Sequence, residues 1–420
     1  MFHRTNRHKM KRVLIITYIL LGAIAAKAQS LTYDHYMECV LNNNTALVAR
    51  NMDIDIAKAA VTGSKVFNDP SLAVEYTNNE DWSKNLGQSI AAQLSHTFTF
   101  GVRRAGISLA KKEFEATKAV LYNYIRNLHA EASTAYLQHL RAKYLLETAR
   151  RREEYMTQLA QSDSLRFTRG EIAKTAWIET RMAAGLTRNE RLSAEAEYRN
   201  SAITLGYYMG NISNAQHITA HGTLEEESIQ LESIDTYITR ALEHRGDLFA
   251  ALYNVEIAEA EKRLNSARRR IDLELSLGAE YNFADPSFTH LVVGAAIPLK
   301  FSNINKGARN IDRAKVEKAN RELADTRLQI ESEIMQAYSN CIIAEEQTRT
   351  FTQGLLEETA ELLNSKRKAY EQGEISFVEF IETERSENMM QEEYINALYN
   401  KALCWVELQK CVGYNLQEKR

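Results

Sequence analysis

Four short segments of the chain alternate between apolar and polar residues. In the longest, every odd position from Ile271 to Phe283 is apolar, and the even positions between them are polar or glycine. A period of two predicts β-strands, because successive side chains of a strand point to opposite faces. The pattern predicts strands over residues 71–79, 88–100, 271–283 and 289–301.

The apolar face of these segments is typical of the lipid-facing side of outer-membrane barrel strands. Four strands cannot close a membrane barrel, since the smallest barrels have about eight. Unpaired strand edges cannot face lipid either. We therefore expect several chains to share one barrel whose polar faces line a water-filled pore. A soluble sheet lying on the helices is the alternative. Aromatic residues near the strand ends would suit the membrane interfaces: Tyr76, Phe100, Tyr281, Phe283 and Phe301.

The remainder of the chain is predicted to be helical. The chain has only three prolines, and all of them lie in or beside the alternating segments: Pro70, Pro286 and Pro298. Proline is excluded from helix interiors because it lacks the N–H donor and clashes with the preceding turn. Apolar residues recur at spacings of three and four, as coiled-coil packing requires. The predicted helical segments are about 31–66, 102–166, 172–210, 231–270, 304–370 and 375–412.

The two halves of the chain resemble each other at a nearly constant offset. Arg169-Gly170-Glu171-Ile172 recurs as Gln372-Gly373-Glu374-Ile375, 203 residues later. This predicts two structural repeats, 29–220 and 221–420, each with two strands and a pair of long helices. A glycine separates the two long helices of each repeat, so we expect tight turns, or tips, at about 167–173 and 370–376.

The N-terminus has the pattern of a secretory signal. Five basic residues precede a 14-residue apolar run, Val13 to Ala26, and Ala26-Lys27-Ala28 is an A-x-A cleavage pattern. We expect residues 1–28 to be removed, with translation starting at Met1 or Met10. Removal takes six of the 52 basic residues and none of the 55 acidic ones, leaving a charge of −9. This balance disfavours a nucleic-acid partner.

Sequence motifs for catalysis are missing. The chain contains no G-x-x-x-x-G-K-[ST] loop, no H-E-x-x-H and no nucleophile elbow. Its four cysteines form no metal-binding or dense disulfide pattern. We therefore expect neither an enzyme nor a bound cofactor or metal.

Several features, taken together and in their order along the chain, resemble the TolC-like outer-membrane efflux family over the whole mature chain. They are the doubled architecture, the helical opening at 40–47, the strand-to-helix junction at 98–106 and the glycine-centred tips at 167–180 and 370–383. The resemblance implies a mainly α fold with a membrane β-barrel portion. In it, a homotrimer builds a twelve-stranded barrel, four strands per chain, continued by a long α-helical coiled-coil barrel in the periplasm. The implied location is the outer membrane of a Gram-negative bacterium.

The resemblance also implies partners: outer-membrane lipid, a periplasmic adaptor (membrane fusion) protein and an inner-membrane RND-type pump. Residues 69–79 and 101–104 are similar to the heavy-metal (cobalt, zinc, cadmium) efflux branch, although Asp69 stands where that branch usually has asparagine. A multidrug channel or a type I secretion outlet has the same architecture and stays open. A soluble exported coiled-coil scaffold or adaptor is the alternative from another class.

The tips are the site that the resemblance implies. Glu379 and Glu382 lie three residues apart, on one helix face. In a trimer they would form two rings of negative charge at the pore entrance; a solvated helix face is the plainer interpretation. In the first repeat Ala176 and Glu179 take these positions. The resemblance implies that Tyr370 belongs to the gate, and Phe167 stands at the corresponding position of the first repeat. Ile375 stands where the best-known members of the family have an arginine that locks the gate. The implied adaptor contacts are Arg169, Gly170, Glu171, Ile172, Gln372, Gly373, Glu374 and Ile375.

Overall fold

The structure is a computed structural model that describes residues 30–81, 84–213, 215–224, 231–283, 287, 290–301 and 306–413. The predicted signal at 1–28 and Pro286 lie outside the described residues. The helices are α1 (Tyr33–Asn43), α2 (Thr45–Gly63), α3 (Val102–Thr168), α4 (Lys174–Tyr208), α5 (Ile234–His244), α6 (Gly246–Arg268), α7 (Lys306–Thr352), α8 (Leu355–Gln372) and α9 (Phe377–Val412). The strands are β1 (Ser30–Thr32), β2 (Ser71–Asp81), β3 (Lys84–Thr99), β4 (Thr219–His221), β5 (Asp272–Asn282) and β6 (His290–Ala296).

The chain divides into two compact units. One comprises Met1–Val48, Ile125–Ala241 and Ser332–Arg420, and the other Ala49–Tyr124 and Leu242–Glu331. The first unit contains the short parallel pair of β1 and β4. The Tyr136 hydroxyl of α3 donates to the carbonyl oxygens of Leu31 and His221, 2.9 and 2.6 Å away, and so holds both strands. No helix in the described part of the chain is long and apolar enough to span a membrane.

The second unit contains a four-stranded sheet in the order β2-β3-β5-β6, antiparallel throughout. All four alternating segments therefore form strands of one sheet, as their period of two predicted. Strands β2 and β6 are its edges in the described residues.

The register of the sheet separates apolar and polar side chains onto opposite faces. Leu72, Leu94, Leu277 and Val293 align in one row across the strands, and they are 69%, 51%, 53% and 76% exposed. The neighbouring row on the other face consists of Ser71, Ser95, Ser276 and Gly294, and the hydroxyl oxygens of Ser71 and Ser95 are 2.7 Å apart. The sheet therefore exposes a contiguous apolar face.

Four predicted elements are broken or shorter in the structure. The helix predicted over 31–66 is divided at Asn44 into α1 and α2, and the helix predicted over 231–270 is divided at Arg245 into α5 and α6. The helix predicted over 304–370 is broken: α7 ends at Thr352 and α8 begins at Leu355, because Gly354 adopts a left-handed conformation with φ of +106°. The strand predicted over 289–301 ends at Ala296, two residues before Pro298. Proline has no N–H to donate to a neighbouring strand, so the ladder stops ahead of it.

Polar side chains fix the short helical breaks near the start of each half. Asn44 lies between α1 and α2; its side-chain oxygen accepts from the Leu47 N–H (3.0 Å) and its amide donates to the Tyr208 carbonyl (3.1 Å). This is an N-cap that also ties α2 to the end of α4. At the corresponding break between α5 and α6, the buried Arg245 donates from Nε to Asp247 Oδ1 at 3.0 Å.

A buried histidine links α3 and α4 in the first unit. His139 is fully buried, its Nδ1 lies 2.8 Å from Ser201 Oγ and its ring stacks on Tyr198 with centroids 4.6 Å apart. Burial, aided by the charge of Lys143, lowers the pKa of His139 to about 4. The folded protein therefore holds this imidazole neutral.

This arrangement predicts an acid-sensitive packing of α3 on α4. Because the folded pKa lies below the unfolded value of about 6.5, the stabilisation is complete above pH 6.5 and is lost as the pH falls towards 4. Between pH 7 and 4.5, His139 should contribute about 2–3 kcal/mol of acid destabilisation. Denaturant unfolding of wild type and His139→Gln in detergent measures it, since the variant should lose correspondingly less stability over that range. Equal losses in the two proteins would refute the assignment.

Candidate functional site

The two glycine turns have the same backbone geometry. After α3, Gly170 (φ +75°) donates to the Phe167 carbonyl at 3.0 Å and Glu171 donates to the Arg166 carbonyl at 2.9 Å. After α8, Gly373 (φ +79°) donates to Tyr370 at 3.0 Å and Glu374 donates to Ala369 at 2.8 Å. Both are Schellman turns, which need a residue that tolerates positive φ. Gly170 and Gly373 thus adopt the left-handed conformation expected where one long helix ends before the next.

The predicted tip residues lie mostly on the surface of the first unit. In the first turn the Arg169 and Arg166 guanidinium groups each lie 3.9 Å from the Glu171 carboxylate. In the second turn Ser376 caps α9 by accepting from the Glu379 N–H at 3.3 Å. Ile172 and Ile375 are half-buried, whereas the residues exposed at the turns are Arg169, Gly170, Glu171, Gln372, Gly373 and Glu374.

The three candidate pore carboxylates are exposed but differ in their partners. Glu379 forms an ion pair with Lys366 of α8. Glu382, one turn later on α9, and Glu179 on α4 are exposed and have no ion pair in the described part of the chain. Among the described residues, therefore, no cation lies within ion-pair distance of the Glu382 or Glu179 carboxylate.

Tyr370 is buried beneath the tips, in contrast to these carboxylates. It is 6% exposed, its ring stacks on Phe380 with centroids 5.4 Å apart, and its hydroxyl donates to Asp163 Oδ2 at 2.6 Å. Asp163 is also fully buried, and Arg166 Nη1 lies 3.4 Å from its other oxygen. Burial and the hydrogen bond to Asp163 raise the pKa of Tyr370, so the hydroxyl keeps its proton. The surrounding cluster consists of Met156, Leu159, Ala183, Phe377, Phe380 and Ile381.

Both tips contain an aromatic pair ten residues apart. Phe167 stacks on Trp177 with ring centroids 5.1 Å apart, as Tyr370 stacks on Phe380. Phe167 and Trp177 are half-buried, whereas the second pair belongs to the buried cluster. The exchange of tyrosine for phenylalanine is visible in the sequence, whereas the stacking of each pair is visible only in the structure. The ten-residue spacing recurring at both tips was the signal that could have revealed it.

Arg152 connects three helices behind the tips. It donates from Nε and Nη2 to the buried Glu384 of α9, at 2.6 and 3.1 Å, and it also pairs with Glu190 of α4. Burial opposes its charge, but the bonds to Glu384 outweigh this and raise the pKa of Arg152. Neither this network nor Asp163 was identified from the sequence, because arginine and carboxylate are common on any helix and their partners lie far along the chain.

The described residues contain no group of three or more His, Cys, Asp or Glu side chains able to hold a metal ion. The tips thus combine rigid turns, exposed carboxylates and a buried polar link.

The comparisons with known proteins place this architecture in a family. The family model for outer membrane efflux proteins matches residues 38–211 and again 237–414. The chain therefore belongs to the outer membrane efflux protein family.

Individual relatives agree with this assignment. The cobalt-zinc-cadmium resistance protein CzcC of Cupriavidus metallidurans is 21% identical over 371 residues, which cover 88% of this chain and 87% of CzcC. The crystal structure of CusC superposes with a TM-score of 0.74 at 16% identity, covering 91% of this chain and 92% of CusC. The Campylobacter jejuni CmeC outer membrane channel also gives 0.74, at 14% identity, covering 90% and 85%. The chain thus shares the fold of these proteins.

The Tyr370–Asp163 hydrogen bond is expected to stabilise the second tip. Tyr370→Phe leaves a buried carboxylate oxygen without its donor, which should cost about 1–3 kcal/mol of unfolding free energy. The matched control is Tyr36→Phe, because the buried Tyr36 hydroxyl has no hydrogen-bond partner in the described residues. Denaturant unfolding of both variants in detergent tests this; equal effects would contradict the role of the bond.

Proposed function

We propose that this protein is the outer-membrane exit duct of a tripartite efflux pump. In this proposal three copies form a twelve-stranded barrel in the outer membrane of a Gram-negative bacterium, continued by an α-helical barrel in the periplasm. Transport through the duct is passive, and an inner-membrane RND-type pump supplies the energy through a periplasmic adaptor. The family assignment supports the class of protein.

The observation that carries the membrane part is the exposed apolar face of the sheet. The row Leu72, Leu94, Leu277 and Val293 is more than half exposed, and aromatic residues extend the face at Tyr76, Tyr281 and Phe283. Burying such a face in lipid is favourable, whereas exposing it to water promotes aggregation. Edge strands β2 and β6 would then pair with those of neighbouring copies, since lipid cannot satisfy backbone hydrogen bonds.

The tips are proposed as the periplasmic entrance. The exposed residues of the two Schellman turns offer an adaptor a rigid surface with both charges. Glu379, Glu382 and Glu179 would form rings of negative charge in the trimer, which attract cations. The buried Tyr370 would act indirectly, by holding α8 to α3 through Asp163 and so limiting how far the entrance opens. Given the similarity to CzcC, we propose heavy-metal cations as the substrate class.

The membrane proposal predicts where the protein is found and which face meets lipid. Wild type should fractionate with outer membranes and run as a trimer, whereas a soluble monomer would contradict the proposal. Leu275→Lys places a charge on the apolar face, next to His96 of β3 and Ala295 of β6. It should destabilise the inserted trimer by about 2–4 kcal/mol if the site lies near the bilayer midplane.

The control for this variant is Glu274→Lys, which puts the same side chain one residue earlier, on the polar face. Trimer yield in outer membranes and resistance of the trimer to heat in detergent are the measurements. Equal yields and equal heat resistance for the two lysine variants would show that the apolar face does not contact lipid.

The charge rings predict cation selectivity at the entrance. Glu382→Gln should lower the permeability of Zn²⁺ relative to Cl⁻, measured from reversal potentials of single channels in asymmetric zinc chloride. Adding Glu379→Gln should lower it further, because that change also leaves Lys366 without its partner. The control, Glu357→Gln with Glu361→Gln on the exposed surface of α8, removes two charges away from the tip. Unchanged ion selectivity in the tip variants would contradict the proposed rings of negative charge at the entrance.

A further inference from the structure

A basic groove lies between α6 and α7 in the unit that contains the sheet. Its volume is about 760 Å³. Six of its ten lining residues are basic and two are acidic, which leaves an excess of four positive charges in a chain whose mature net charge is −9. The basic residues are Lys262, Arg263, Arg269, Arg270, Arg309 and Arg313.

Most of these cations lack a carboxylate partner. Arg263 pairs with Glu259 at 3.4 Å and Arg269 pairs with Asp312 at 2.9 Å. The other four, Lys262, Arg270, Arg309 and Arg313, are exposed and form no ion pair within the described part of the chain. Residues 302–305, which precede α7, contain no acidic side chain. The groove thus presents concentrated positive charge that carboxylates of the described residues leave largely unpaired.

The groove is a built feature, because buried polar contacts hold its two walls together. Asp312 of α7 is 5% exposed and accepts from Asn265 Nδ2 at 2.8 Å and from Arg269 Nη2 at 2.9 Å, both on or just after α6. Lys300 donates to the carbonyl oxygens of Arg268 and Arg270 at 2.7 and 2.8 Å and so ties the segment after β6 to the end of α6.

The groove also adjoins the apolar face of the sheet. Arg270 immediately precedes Ile271 and β5, and Ile271 is 63% exposed. On the other side of the same junction, Leu299 and Phe301 flank Lys300 and are 72% and 73% exposed. At this end of the groove the unpaired Arg270 therefore lies beside exposed apolar side chains. This arrangement complements a molecule with an anionic head and apolar tails.

We propose that this groove binds the phosphate headgroup of an anionic membrane phospholipid. The arginine pairs offer planar donors to phosphate oxygens, while Ile271, Leu299 and Phe301 contact the start of the acyl chains. The proposal rests on the proposed function, because it requires the sheet to lie in a membrane. It adds a headgroup site at the boundary between strands and helices, which would fix the depth of the barrel in the bilayer.

The test uses the purified full-length protein in a non-ionic detergent. Native mass spectrometry measures retention of dioctanoyl phosphatidylglycerol against dioctanoyl phosphatidylcholine, which has the same chains but no net charge. Wild type should bind the anionic lipid at least about tenfold more tightly. Arg309→Gln with Arg313→Gln should abolish this preference. The control, Arg321→Gln with Arg327→Gln, removes two exposed arginines further along α7 and should retain it.

Three results would overturn the proposal: equal binding of the two lipids by wild type, an unchanged preference in the groove variant, or inorganic phosphate binding as tightly as the anionic lipid. The last result would identify a free phosphate site without a contribution from acyl chains. The proposed function fails separately, if the wild-type chain does not fractionate with outer membranes. If the protein forms a membrane trimer but binds the anionic and the uncharged lipid equally, only the headgroup proposal is contradicted.

Discussion

Backbone hydrogen bonds at the two edges of the sheet constrain the rest of this molecule. Strands β2 and β6 each have one side without a partner strand among the described residues, while the sheet exposes a continuous apolar face. In lipid, an open edge costs several kcal/mol for each unsatisfied group. A protein with this sheet must therefore either stay out of the membrane or close the sheet with further strands. In the proposed trimer, strands of the other copies would close the sheet.

At the tips, turns of fixed geometry on the surface lie next to a buried network of polar contacts. Two glycines end α3 and α8 in the same Schellman geometry, so the exposed backbone has little freedom. Behind one of them, Tyr370 and Asp163 form a neutral–charged hydrogen bond inside an aromatic cluster. Arg152 adds a buried ion pair to Glu384. Such links are strong only while they remain dry, so a small separation of the helices would weaken them together.

Charge is distributed unevenly among the elements. Around the turns, the exposed carboxylates Glu382 and Glu179 lack cationic partners in the described residues, whereas Arg270, Arg309 and Arg313, near the strand-to-helix junction, lack acidic ones. The net charge of the chain reveals neither feature, because it sums all charges regardless of where they lie. We propose a different partner for each patch: cations at the turns and phosphate headgroups beside the apolar strands.

The sequence by itself determined which face each strand presents and where the long helices turn. Both depend on local rules: a period of two separates the two faces of a strand, and a glycine is needed where φ is positive. The sequence did not reveal the helix breaks at Asn44, Arg245 and Gly354, since a single polar residue or glycine within a helical pattern is often tolerated. It also did not reveal that β6 ends at Ala296. Only the tertiary structure decided that Tyr370 is buried on Asp163, that Arg152 meets Glu384 and that six cations share one groove. These contacts join residues on different helices, up to 232 positions apart, and no periodicity along a helix records which neighbouring helix it will meet.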